Sequence, residues 1–121
     1  MKVFVYGTLL SGEGNHRQLR GARMLAVRRT EPRYTLVSLG PYPALLAGGT
    51  TSVTGEVYDV DDDLLRALDR FESVPSLYRR ERIRLLGGES VDGYVLARLR
   101  AKSYEVIASG DWREHRCASR S

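Results

Sequence analysis

The stretch Asp61-Asp62-Asp63-Leu64-Leu65-Arg66-Ala67-Leu68-Asp69-Arg70-Phe71-Glu72 carries the clearest helical pattern in the chain. Leu64, Leu65, Leu68 and Phe71 recur at helical spacing, and the leading aspartates supply an N-cap and a negative first turn, where the helix dipole favours anions. The surroundings read mostly as strand. Lys2 to Tyr6 is β-branched and aromatic and ends at Gly7. Asn15 is placed to cap a short helix through His16 to Leu19 that Gly21 stops. Tyr34 to Leu39 and Ala44 to Leu46 flank Gly-Pro-Tyr-Pro, whose prolines exclude a central strand position. Val53 to Val60 predicts a strand with Gly55 as a candidate bulge, and Tyr78 to Leu86 with Val91 to Leu99 a hairpin turning at Gly87 and Gly88. One helix with about six strands and no βαβ alternation predicts an α+β fold, a mixed sheet curled toward a small β-barrel.

The chain has 121 residues, 42% of them hydrophobic, which suits a single domain over 1–121 with one continuous core. The polar tail from about 113 is expected to fray. The opening MKVFVYGTLL breaks at Gly7, too early for a signal peptide or a membrane span. A lone cysteine, Cys117, makes no internal disulfide, so the expected compartment is reducing and cytoplasmic. Nineteen Lys and Arg against fifteen Asp and Glu give a net charge of +4, spread along the chain rather than gathered in a block.

Two places serve local structure poorly, and such conflicts collect at functional sites. Glu72 ends its helix where the dipole disfavours a negative charge, beside Phe71 and Val74. Apolar neighbours would raise its pKa toward that of a general base; an exposed glutamate at a helix end is the competing reading. Tyr6-Gly7-Thr8-Leu9 is a strand ending abruptly in a glycine turn, whose freed N–H groups can form an anion nest. Glu56 is a second carboxylate that points either inward or outward.

Other chemistries find no pattern. Gly12-Glu13-Gly14 lacks the closing glycine of a dinucleotide loop, and no phosphate loop exists. His16, His115 and Cys117 complete no metal-ligand spacing, and Cys117 has no base nearby in sequence to activate it.

The ordered set VFVYGTL (3–9), GNH (14–16), GPYPAL (40–45), GEVYDV (55–60), LDRFESVPSLYRR (68–80) and GDW (110–112) resembles the γ-glutamylcyclotransferase-like family. That family includes the γ-glutamylamine cyclotransferases, the butirosin-pathway cyclotransferase and the plant avirulence-induced proteins. The chain is most similar to its short branch rather than to the larger glutathione-degrading one. The resemblance implies a small mixed β-barrel with flanking helices. It also implies cleavage of a small-molecule γ-glutamyl amide by its own α-amine, giving 5-oxoproline and a free amine without metal or cofactor. It places the catalytic glutamate at Glu72 and the substrate-binding turn at Tyr6, Gly7, Thr8 and Leu9. Tyr78 matches the tyrosine that bonds near the catalytic carboxylate, and a later substrate-contacting tyrosine falls on Tyr104 first, or Tyr94. Ser73 stands where relatives often have glycine.

Two rivals belong to other classes. One is a catalytically silent small-molecule-binding module of the same fold, since fold alone never establishes activity. The other is a nucleic-acid-binding barrel, suggested by Arg79, Arg80, Arg82 and Arg84 on one strand; it lacks interleaved aromatics for base stacking, so neither nucleic acid nor membrane is expected as a partner.

Overall fold

In the computed structural model, which describes residues 1–97 and 104–118, the chain forms eight strands and two α-helices. These are β1 (Lys2–Val5), β2 (Arg23–Arg29), β3 (Tyr34–Ser38), β4 (Pro43–Ala47), β5 (Thr54–Asp59), α1 (Asp62–Phe71), β6 (Tyr78–Arg84), β7 (Ser90–Leu96), β8 (Glu105–Val106) and α2 (Trp112–Ala118). A 3₁₀ turn covers His16–Leu19. The fold is α+β, as the sequence predicts.

The strands do not close into one barrel. They form a five-stranded sheet, β2-β5-β1-β7-β6, and a three-stranded sheet, β4-β3-β8. β1 lies at the centre, antiparallel to β5 and parallel to β7, and its Val3, Phe4 and Val5 are buried. The outer strands β2 and β6 are drawn together at one end by an isolated bridge between Thr30 and Leu85. The sheet therefore curls, but a single bridge replaces the ladder that closure needs.

The expected hairpin is β6 and β7, in register from Tyr78↔Leu96 to Arg84↔Ser90; of the predicted second strand, Arg98 and Leu99 lie outside the described residues. Two other expectations are corrected, and one strand is unanticipated. Gly55 is no bulge: it pairs in register with Arg28, and the register shift lies further along β2, between Met24 and Ala26, opposite Tyr58 and Val57. Glycine stands at 55 because an added Cβ would lie 2.3 Å from the Val5 carbonyl oxygen and 2.4 Å from Phe4 Cζ. β2 itself has no counterpart in the sequence reading. It is an edge strand with Met24, Leu25 and Val27 all exposed, so it lacks the one-sided pattern by which strands are recognised. The tail from 113 does not fray as far as Ala118, because α2 packs Trp112 into the core and ties its charged residues to distant partners.

α1 follows its sequence logic closely. Asp61 caps it by accepting the Leu64 amide at 2.8 Å, and Leu64, Leu65 and Leu68 are buried. Phe71, at helical spacing with those leucines, is 39% exposed and stands at a cavity wall.

Candidate active site

A cavity of about 300 Å³ opens where the end of α1 meets the turn after β1. Phe71 and Glu72 form one side, Tyr6 to Leu9 another, and Tyr42, Pro43, Tyr78 and Tyr94 complete much of the rest. That volume suits a small molecule rather than a polymer.

Glu72 is aimed by the way α1 stops. Its amide bonds the Leu68 carbonyl at 2.9 Å, and the chain then reverses through Ser73, whose φ of 54° is left-handed. The Ser73 amide reaches the Arg70 carbonyl (3.1 Å) and the Val74 amide the Asp69 carbonyl (3.0 Å). These two bonds make a Schellman ending, with Val74 packed against the core as its hydrophobic contact. Glu72 is thus fixed at the helix cap with its side chain in the cavity wall. Burial pushes its pKa from 4.5 up to about 7. The carboxyl can both take and give a proton near neutrality, which a free glutamate does poorly.

Three phenols feel that carboxylate. Burial, reinforced by the negative charge of Glu72, raises Tyr6, Tyr78 and Tyr94 above their ordinary range, so all three stay neutral. Each hydroxyl is already committed. Tyr6 donates to the Tyr94 carbonyl (2.7 Å) and accepts from the Leu45 amide (3.2 Å), while Tyr78 donates to the Pro43 carbonyl (3.2 Å). Tyr94 donates to Asp69 at 2.8 Å.

The glycine turn is held from outside. The Leu10 amide closes it onto the Gly7 carbonyl at 3.0 Å, while the amides of Gly7, Thr8 and Leu9 have no partner among the described residues. Asn15 donates its side-chain amide to Thr8 Oγ1 (3.1 Å), and His16 Nδ1 donates to the Leu9 carbonyl (2.9 Å). A second cavity of about 270 Å³, lined by Glu13, Trp112 and Arg116 among others, shares Thr8 and Asn15 with the first. Glycine is obligatory at 7: a Cβ there would lie 2.5 Å from Pro43 Cγ, across the cavity rim.

Residues 3–114 match the family described as gamma-glutamyl cyclotransferase, AIG2-like. The chain belongs to that family. A protein of Vibrio cholerae named as a putative gamma-glutamylcyclotransferase is 43% identical over 110 residues, covering 91% of this chain and 93% of its own length. The gamma-glutamylaminecyclotransferase of Homo sapiens is 47% identical over 92 residues, covering 69% of this chain and 60% of the human protein. Among solved structures, an AIG2-like protein from Mus musculus superimposes with a TM-score of 0.64 at 34% identity, covering 83% of this chain and 78% of its own.

In this member of the γ-glutamylcyclotransferase family, the cavity brings together Glu72, Tyr6, Gly7, Thr8, Leu9 and Tyr78. It does not include Tyr104, which is 47% exposed and lines neither cavity. Tyr94, the second choice, lines the wall instead, because β7 runs beside β1 and turns it inward. Tyr78 shares the cavity with Glu72, but its proton goes to Pro43, so it contributes shape and a neutral phenol rather than a direct bond to the carboxylate. Asn15 turns out not to cap the following turn: its side chain serves Thr8.

Glu56 is inward but is no base for this cavity. It accepts from Ser11 twice, from Tyr58 at 2.9 Å and from Arg113 at 3.1 Å. Burial alone would raise its pKa, yet the Ser11, Arg113 and Tyr58 bonds outweigh it and hold the carboxyl below 4.5. Arg113 also donates to the Ser11 carbonyl and hydroxyl, and Arg116 and the Trp112 indole hold Glu13 at 2.6 and 3.2 Å. The start of α2 thereby fastens the segment that follows the glycine turn. No sequence spacing announces this clasp, since its partners lie about a hundred positions apart.

Proposed function

We propose that the chain is a γ-glutamylcyclotransferase that opens a γ-glutamyl amide by attack of the substrate's own α-amine, yielding 5-oxoproline and a free amine. The observation that carries this reading is Glu72: a half-buried carboxyl in the wall of a small cavity, with its pKa raised to about 7, sharing that cavity with a turn whose amides are unpartnered among the described residues. The γ-glutamylaminecyclotransferases among the relatives favour a γ-glutamylamine as substrate.

The mechanism uses the chain's own groups. Glu72, as carboxylate, takes a proton from the α-ammonium, and the freed amine attacks the γ-carbonyl carbon. The cavity holds the five-membered geometry, which replaces much of the entropic cost of bringing nucleophile and carbonyl together. Amides of Gly7 to Leu9 stabilise the oxyanion of the tetrahedral intermediate. Glu72, now protonated, gives its proton to the departing nitrogen as the C–N bond breaks. The ring nitrogen then sheds its remaining extra proton through Glu72 to the departing amine, and the glutamate ends as it began.

The rival readings fare differently. Arg79, Arg80, Arg82 and Arg84 each pair with a carboxylate, of Glu81, Asp69 and Asp92, Asp92 and Glu31 respectively, which neutralises the stripe that suggested nucleic acid. The silent binding module is decided by assay. 5-Oxoproline release from a panel of γ-glutamyl amides should be seen with the wild type and fall at least about a hundredfold in Glu72→Gln. Absence of release from every amide would leave the binding module; equal rates in both proteins would remove Glu72 from its role.

A further inference from the structure

Tyr94 has one phenolic proton, and it goes to Asp69 Oδ1 at 2.8 Å. Asp69 has none to return. Arg80 Nε holds both its oxygens, at 3.0 and 3.3 Å, and a carboxylate in an ion pair only accepts. Arg80 is steadied from its other side by the buried Asp92 (3.2 Å), which also takes Arg82 (3.0 Å). The polarity of the Tyr94 oxygen is therefore set: its proton faces α1, and only lone pairs remain for the cavity that Tyr94 lines. Asp69 and Glu72 lie three positions apart, on one face of α1 and its cap, so Tyr94 and Glu72 are brought to the same wall.

We propose that Asp69 is a positioning residue that makes Tyr94 a pure hydrogen-bond acceptor, so that Tyr94 and Glu72 form a two-acceptor socket for the substrate's α-ammonium group. This rests on the cyclotransferase reading. A wall that offers only acceptors welcomes N–H donors and repels carbonyl and carboxylate oxygens. It thereby decides which end of the γ-glutamyl group meets the base. The α-ammonium gives one N–H to Tyr94 and a proton to Glu72, while the oxygens fall to the amides of Gly7 to Leu9. Retention of the Tyr94 proton is reinforced by burial, by the bond to Asp69 and by the charges of Asp69 and Glu72, all of which hold the phenol neutral.

The test is a double-mutant cycle on 5-oxoproline release with Asp69→Asn, Tyr94→Phe and the pair, beside Arg82→Met. An asparagine amide donates to the Tyr94 oxygen and turns the phenol proton into the cavity. Asp69→Asn and Tyr94→Phe should each lower kcat/KM about 10- to 100-fold, the range for losing a hydrogen bond to a charged group. The double variant should be no worse than Tyr94→Phe alone, because Asp69 acts only through Tyr94. Arg82→Met should lower thermal stability yet stay within about threefold of wild-type kcat/KM, since Arg82 pairs with Asp92 and leaves the Tyr94-to-Asp69 bond and its Arg80 partner in place. A second measurement does not depend on Asp69→Asn folding. Inhibition by a γ-glutamyl amide and by the matching glutaryl amide, which lacks the α-amine, should show a preference for the former that shrinks at least about tenfold in Tyr94→Phe. Losses that multiply in the double variant, an Arg82→Met as impaired as Asp69→Asn, or an unchanged preference in Tyr94→Phe would each overturn the socket. A wild type that releases no 5-oxoproline would instead overturn the cyclotransferase reading on which it stands.

Discussion

Ser11 holds the buried Glu56 carboxylate at two points, through its amide at 2.8 Å and its hydroxyl at 2.7 Å. Because Ser11 follows directly on the glycine turn, a carboxylate on β5 fixes the segment that carries the amides of Gly7 to Leu9. Glu56→Gln replaces one acceptor oxygen with a donor that faces other donors, and costs about 1–3 kcal/mol, the range for leaving buried hydrogen-bonding groups unpaired. The sign of the pH effect follows from the direction of the shift. The Glu56 pKa lies below 4.5 in the folded protein, so its contribution is present above that value and fades as pH falls through the lower one. Thermal unfolding should show the widest gap between wild type and Glu56→Gln at neutral pH and a narrower one in acid. A gap independent of pH would mean that the charge is not what counts.

Glu72 behaves in the opposite sense. Its folded pKa of about 7 exceeds the ordinary 4.5, so the folded state gains from the protonated form, fully below 4.5, and loses that gain as pH rises to about 7. Glu72→Gln mimics the protonated carboxyl at every pH. The variant should match the wild type in Tm near pH 4 and exceed it at pH 8.

The same shift appears in the kinetics. Wild-type kcat/KM should fall about tenfold per pH unit below about pH 7, as the base becomes protonated in the free enzyme. An acid limb centred near 4.5 would show that the carboxyl is solvated rather than buried.

Ser73 sits at a φ of 54°, where a side chain is strained by about 1 kcal/mol. Ser73→Gly should therefore raise Tm by several degrees, the Schellman ending being the position glycine favours most. Calorimetry gives the answer directly. A fall in Tm would mean that Ser73 earns its place through contacts the backbone angle does not reveal.

Gly7→Ala introduces a Cβ within 2.5 Å of Pro43 Cγ and 2.8 Å of its Cδ. Either the turn or the Pro43 wall must move, and a displacement on that scale costs about a hundredfold in rate when it misplaces substrate. Steady-state kinetics on the folded variant should show that loss. Full activity would place the substrate away from this turn.

What the sequence made legible was local. The leucines of α1, the Asp61 cap, the β6–β7 pair and the break at Gly7 each express a short-range rule, and the structure follows them. Glu72 stood out because its charge conflicts with its place on the helix; burial, rather than the helix end, is what raises its pKa. The rest depends on distance. Tyr94 reaches the cavity only because β7 pairs with β1, and Tyr104 stays outside it although it comes from the same part of the sequence. Helix α2 is seven residues of mostly polar character, held by Glu13, Ser11 and Glu56 rather than by its own propensity. β2 shows apolar residues to solvent and so lacks a pattern to read.

The clasp of α2 on Ser11 and Glu13 also sets an order of events during synthesis. Strand β1 and its turn are made about a hundred residues before Arg113 and Arg116, the arginines that fasten the segment after the turn. A growing chain can thus carry every residue that lines the main cavity while the loop beside it is still untied. At a synthesis rate of roughly 5–20 residues per second, that interval lasts seconds. Docking of α2 ties that loop down, so residues translated late act as the fastener of residues translated early.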